Sequence, residues 1–155
     1  MKIEIVENRE QSLFVYNDDE LLFHSTIKFN WLRKNLVKIF DSSDKLIFEL
    51  QCYEAPFKTS KYKILFQDFN IKEITEEYIC FDEDKTLTNQ KSDFLSFNQN
   101  CFYTYKENKV AETKQKLWNS PQKIILNINE KDMNLLKFII IHVLSTKTGY
   151  NSNSD

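Results

Sequence analysis

Five side chains in this sequence could carry nucleophilic or metal chemistry: His24, His142, Cys52, Cys80 and Cys101. A zinc ion asks for four nitrogen or sulfur ligands, usually in close pairs along the chain. Neither histidine has a second histidine or a cysteine at such spacing, so no metal site is expected. A Cys–His nucleophile pair can be assembled by the fold alone, and nothing local signals one. The cysteines are odd in number and widely spaced, which speaks against a disulfide framework; each reads as a small apolar residue in or near a strand. His142 reads as a hydrogen-bonded histidine of the core or of a barrel end.

An acidic stretch, "DEDKTLTNQKSD" (Asp82–Asp93), offers oxygen ligands at the first, third, fifth and twelfth positions of a calcium-loop count. Its sixth position is Leu87, where the sharp turn needs glycine, and it closes on Asp93 rather than glutamate. The stretch reads as a solvated hairpin turn. The chain holds a single glycine, Gly149, so no glycine-rich phosphate loop can be built. No cofactor is expected, and catalysis is left only as a hydrolase assembled from residues that the fold brings together.

Lysines form the remaining pattern. Lys58, Lys61 and Lys63 gather in "FKTSKYK", and Lys114 and Lys116 repeat the alternate spacing in the stretch that also holds Lys109. In a strand, alternate residues share one face, so each pair presents two ammonium groups on one side. Ordinary solvated faces look like this. The functional reading is a patch for anionic lipid, to which each lysine contributes about 1 kcal/mol near a membrane surface. The net charge of -2 from 21 basic and 23 acidic residues argues against a general nucleic-acid binder.

The elements that must position these groups are mostly strands. Short β-branched and aromatic runs are separated by Asn, Asp, Ser and Lys: "KIEIV", "SLFVY" and "ELLFHS" around "NDD", "LVKIF" and "KLIFELQCY" around "DSSD" (Asp41–Asp44). There follow Tyr62–Gln67, Ile71–Ile74, Glu77–Phe81, Thr86–Asn89, Asp93–Phe97, Cys101–Tyr105, the run from Val110 to Trp118, and "KIILNI". About ten to twelve strands spaced in this way predict a barrel or sandwich. Residues 1–148 form one domain, and 149–155 are a polar tail.

One helix is predicted, over 131–146, with Asn129 as its N-cap and Asp132 in its first turn. Taking Asn134 as the origin, Lys137 falls at about 300° and His142 at about 80° on a helical wheel. Apolar side chains cover the rest, so the helix is hydrophobic nearly all round and must be buried or span lipid. Its apolar run is well short of the roughly 20 residues of a membrane span. Burial by the strands follows, with Phe138, Ile139, Ile140, Val143 and Leu144 central to the core. The opening "MKIEIVENRE" has no apolar export signal, and with free thiols it suggests the cytoplasm.

"LVKIFDSSDKLIFELQ" (Leu36–Gln51) and "YKENKVAETKQKLWNSPQKIILNINEKDMNLLKFIIIHVLS" (Tyr105–Ser145) resemble the tubby C-terminal-like proteins, in particular their LURP-one-related, scramblase-like branch. The first is similar to that branch's strand, Asp-led turn and apolar strand; the second is similar to its closing hairpin, strands and apolar helix. Asp44 and Asn108 stand where the family's turns carry glycine. The resemblance implies a closed or strongly curled antiparallel β-barrel around a central hydrophobic helix. It also implies a non-enzymatic module for anionic lipid or phosphoinositide-like headgroups, peripheral at a membrane; no binding motif carries across residue by residue, and the candidate ligand residues Lys58, Lys61, Lys63, Lys114 and Lys116 come from the lysine spacing alone. The alternative is a protein-interaction or regulatory module of a bacterial complex, without lipid.

Overall fold

In the first strand Ile3 and Ile5 are fully buried, while Lys2 and Glu4 meet on the other face at 3.1 Å. The same alternation organises most of the chain, as a half-buried pleated surface requires. The computed structural model describes residues 1–54, 56, 58–92, 99–116 and 121–149. The strand expected at Asp93–Phe97, the Trp118 end of another, and the tail beyond Gly149 lie outside them.

Among the described residues twelve strands follow in order: β1 (Lys2–Glu7), β2 (Leu13–Asn17), β3 (Glu20–Lys28), β4 (Lys34–Asp41), β5 (Leu46–Tyr53), β6 (Lys61–Gln67), β7 (Ile71–Ile74), β8 (Tyr78–Phe81), β9 (Lys85–Lys91), β10 (Cys101–Tyr105), β11 (Asn108–Gln115) and β12 (Lys123–Ile128). They form one antiparallel sheet in the order β6-β5-β4-β3-β2-β1-β12-β11-β10-β9-β8-β7. Each strand pairs with its sequence neighbour, and β1 joins β12 across the two ends of the series. The sheet curls into a nearly closed barrel.

Its seam lies between β6 and β7, and side chains bridge it. Gln67 acts as a substitute peptide: its Nε2 donates to Ile71 O (2.9 Å) and its Oε1 accepts from Ile71 N (2.8 Å). At the other end of the seam Ser60 N donates to Glu76 Oε1 at 3.4 Å.

With so little glycine, other residues take the left-handed backbone. Asp18 (φ 51°) and Asp44 (φ 60°) turn the two N-terminal hairpins. Asp41 leads the second turn, its Oδ1 accepting from Ser43 N (2.9 Å) and Lys45 N (3.0 Å). Between β10 and β11 the positive angles fall on Lys106 (φ 48°) and Glu107 (φ 64°), not on Asn108. Two consecutive left-handed residues match a type I′ turn, which favours Asn-Gly, and each L-residue held there costs roughly 1–2 kcal/mol. Lys106→Asn with Glu107→Gly is therefore expected to raise the melting temperature by about 2–4 °C, the shift that about 1 kcal/mol produces in a domain of this size. A calorimetric scan checks this.

The helix departs from expectation at its start. Glu130–Leu135 is a 3₁₀ segment, and α1 proper runs Leu136–Lys147. Asn129 does not cap with its side chain. Its Nδ2 donates instead to Lys109 O (3.0 Å) and Asp132 Oδ2 (3.1 Å), which pins the segment to β11. From there residues 138–145 are all buried. Phe138 stacks on Phe81 of β8 at 3.9 Å between ring centroids. Thr148, just past the helix, lies 2.7 Å from Ser25 of β3. Lys137 alone reaches outward in this stretch, its ammonium over the rings of Phe138 (5.0 Å) and Phe69 (5.4 Å).

Candidate functional site

At the C-terminal end of α1, residues Ser145, Thr146, Lys147 and Thr148 floor a polar cavity of about 360 Å³. Hairpin register builds one wall. Asn35 on β4 stands opposite Cys52 on β5, and Cys52 opposite Tyr62 on β6, so three polar side chains form a rung facing inward. The far wall comes from β9 and β10, where Lys91 pairs with Cys101, joined by Asn89 and Gln99. Glu54, Lys58, Ser60 and Glu76 ring the mouth.

Burial first, and then the negative charge of Glu54, pushes the Cys52 thiol up to about 11, against the pull of hydrogen bonds with Ser60 and Tyr62. Burial also drives the Tyr62 phenol upward, with Cys52 and Glu76 adding to it. Both groups stay protonated at neutral pH. The thiolate is the reactive form of cysteine, so this rung offers hydrogen bonds rather than a nucleophile.

Two polar atoms here have no hydrogen-bond partner among the described residues: Ser145 Oγ and Asn89 Oδ1. Ser145 is only 3% exposed. An unsatisfied buried group costs about 1–3 kcal/mol, which a ligand reaching the floor would recover. The carboxylates of the rim are already engaged. Glu54 Oε1 accepts from Asn35 Nδ2 (3.3 Å) and Glu76 Oε1 from Ser60 N. Lys147 Nζ donates to Gln99 Oε1 at 3.1 Å. Among the described residues neither Lys58 nor Lys91 belongs to an ion pair. Among the described residues the lining thus holds three basic side chains, Lys58, Lys91 and Lys147, and two acidic ones, Glu54 and Glu76.

The lysines singled out by spacing are not brought together. Lys58 joins the cavity mouth; Lys61 lines a groove at the seam; Lys63 is exposed on β6. Lys114 lies 3.1 Å from Glu112 on the outside of β11, which also receives Lys109 at 2.7 Å. Lys116 is exposed just past β11. By the shorter way round, through the seam, β6 and β11 are five strand steps apart, each about 4.8 Å. These are two separate surfaces.

The histidines stay apart from the cavity lining. Thr75 O can only accept, so His142 Nε2 donates to it (2.8 Å), and Nδ1 accepts from the Tyr103 hydroxyl (2.7 Å). Burial drives the His142 pKa down to about 4. His24 is sandwiched between the rings of Phe14 and Phe40, 3.5 Å from Asp44 Oδ1. The thiols are free in β5, β8 and β10, and no group of potential metal ligands occurs among the described residues. Asp82 to Asp84 make the turn between β8 and β9; Asp93, which would close the calcium count, lies outside the described residues.

Spacing did not reveal Asn35, Tyr62, Lys91 or Ser145 as neighbours of Lys58. The available signal was register: two successive hairpins that carry Asn35, Cys52 and Tyr62 to one level. No family model matches the chain, and no curated protein or solved structure matches it.

Proposed function

We propose that the protein is a non-enzymatic binding module, and that the polar cavity at the end of α1 takes an anionic, headgroup-sized ligand at a membrane surface. The observation that carries this reading is the orphaned Ser145 hydroxyl on the floor of a cavity that Lys58, Lys91 and Lys147 also line. Protonated Cys52 and Tyr62 add donors suited to phosphate or carboxylate oxygens. A tubby C-terminal-like architecture, with α1 as the barrel's central axle, is part of the same proposal. It is supported by the burial of residues 138–145 and by helix contacts to β8 and β10 on one side of the sheet order and to β4 on the other. No helix among the described residues is long and apolar enough to cross a membrane; a peripheral association on the cytoplasmic side is part of the proposal.

Flotation with anionic vesicles tests the reading. Lys58→Gln with Lys91→Gln removes two charges, worth about 2 kcal/mol or roughly thirtyfold in affinity. Lys114→Gln with Lys116→Gln should float as the wild type does. A loss in the Lys114/Lys116 variant with none in the Lys58/Lys91 variant would move the site to β11, and equal losses would contradict the cavity as the site.

A second reading has its own observation. The seam groove carries Tyr62 and Tyr78, and Leu65 and Phe66 on the β6 edge are 47% and 41% exposed. An open strand edge of this kind can accept an extended segment of another protein. Binding that survives the lysine changes but is lost on Leu65→Lys would favour this interaction module.

A further inference from the structure

The β3–β4 connection, residues 29–33, is the most exposed apolar feature of the described chain. Trp31 is 89% exposed, Leu32 49% and Phe29 45%. Isolated exposed apolar residues are ordinary, but three together at the tip of one hairpin form a patch. The tip is also held by hydrogen bonds. Asn30 Oδ1 accepts from Leu32 N (2.8 Å), Asn30 O accepts from Arg33 N (2.9 Å), and Asn35 Oδ1 accepts from Asn30 N (3.1 Å). Arg33 closes the turn at φ 59°, and its carbonyl accepts from Glu54 N at 3.1 Å. These bonds fix the backbone while the indole is left in water.

Charge frames the patch. Lys28, Arg33 and Lys34 flank the three apolar residues, all exposed, with no ion pair among the described residues and no acid between 28 and 35. Glu54, joined to the tip by its backbone N–H on the Arg33 carbonyl, also accepts from Asn35 Nδ2. A convex tip of Trp, Leu and Phe ringed by cations matches the layering of a bilayer interface. There an indole sits at headgroup level and long cationic side chains reach the phosphates. A groove on a partner protein would need no such ring of cations.

Asn35 and Glu54 also line the cavity, so the tip stands at its rim. We infer that the Phe29–Arg33 tip is a membrane wedge: Trp31 and Leu32 enter the interface of an anionic bilayer and bring the cavity mouth to the headgroups. This rests on the cavity reading above and names the surface on which that site works.

The test uses phosphatidylcholine vesicles with and without phosphatidylserine. In a Trp118→Phe background Trp31 is the remaining indole of the two. Its emission should shift to the blue on serine-containing vesicles and be quenched by lipids brominated near the headgroup. Trp31→Ser with Leu32→Ser, made in the otherwise unaltered chain, should lower vesicle affinity about tenfold or more, from the lost apolar burial. Neutralising Lys28, Arg33 or Lys34 should cost roughly fivefold each. Soluble inositol trisphosphate should bind the serine variant as it binds the wild type. An unshifted indole, or a serine variant that floats like the wild type, overturns the wedge while leaving the cavity reading in place. A blue shift that grows with protein concentration without vesicles overturns it in favour of protein contact. Loss of both vesicle and inositol trisphosphate binding in the wild type sinks both proposals.

Discussion

Ile140→Asp should leave no cooperatively folding protein. Ile140 is fully buried, and so are its neighbours along the helix: Ile139 and Leu144 show no exposure, Ile141 1% and Val143 3%. A surface helix would offer the carboxylate a way to water, whereas α1 is buried without a break over residues 138–145. An unpaired charge in such a setting costs several kcal/mol against a total stability of about 5–15. Ile140→Val, which removes one methylene, should cost only about 0.5–1.5 kcal/mol and keep a single cooperative melt. Circular dichroism and thermal scans of the two variants give the comparison. A soluble Ile140→Asp protein melting like the wild type would mean that α1 is not part of the interior.

The second large effect is a loss of stability in mild acid. His142 ordinarily titrates near 6.5, and burial lowers it to about 4 in the folded protein. Between these values the unfolded chain binds a proton that the folded one refuses, so stability falls as the pH drops from 6.5 to 4 and levels off below for this group. A shift of that size amounts to roughly 3 kcal/mol. Glu4 and Glu112 act in a lower window. Hydrogen bonds from Lys123 and Lys2 and from Lys109 and Lys114 hold their carboxyls below the ordinary 4.5, so any loss from them begins only near that pH. Denaturant unfolding followed between pH 7 and pH 4.5 therefore covers the histidine window and stays above that of Glu4 and Glu112. His142→Gln keeps an acceptor for Tyr103 and a donor for Thr75 without a titrating ring, and should flatten the profile in that interval. An equally steep profile in the glutamine variant would show that another group carries the effect.

How much of this was legible beforehand differs by element. The hairpins could be read because Asp18 and Asp44 mark their turns, and Asp41 bonds locally whatever the rest of the chain does. The helix's inward fate could be read from three polar residues too dispersed to form a solvent face. Its start could not. Asn129 looks like a cap, yet β11 presents the Lys109 carbonyl to its side chain, and that contact exists only after the strands have paired. The seam was hidden for a similar reason, since Gln67 imitates a peptide group only once Ile71 is beside it. The lysines illustrate the limit of spacing. A period of two says which residues share a face, but it does not say how many strands lie between two faces. Residues from several elements meet in the cavity, and only the register of β4, β5 and β6 foreshadowed that meeting. Trp31 carried a readable signal, an aromatic tip flanked by cations between two strand-forming runs, but strand and helix patterns do not register an exposed turn.

The central claim is that the cavity between α1 and the ends of β4, β5, β6, β9 and β10 receives an anionic headgroup. Isotope-labelled protein titrated with soluble inositol trisphosphate and followed by amide chemical shifts tests it most directly. Saturable shifts should appear at Asn35, Glu54, Ser60, Asn89 and Ser145, with Lys114 and Lys116 unmoved. Shifts confined to the outer face of β11, or no saturable shift at Ser145 and its neighbours, would contradict the account.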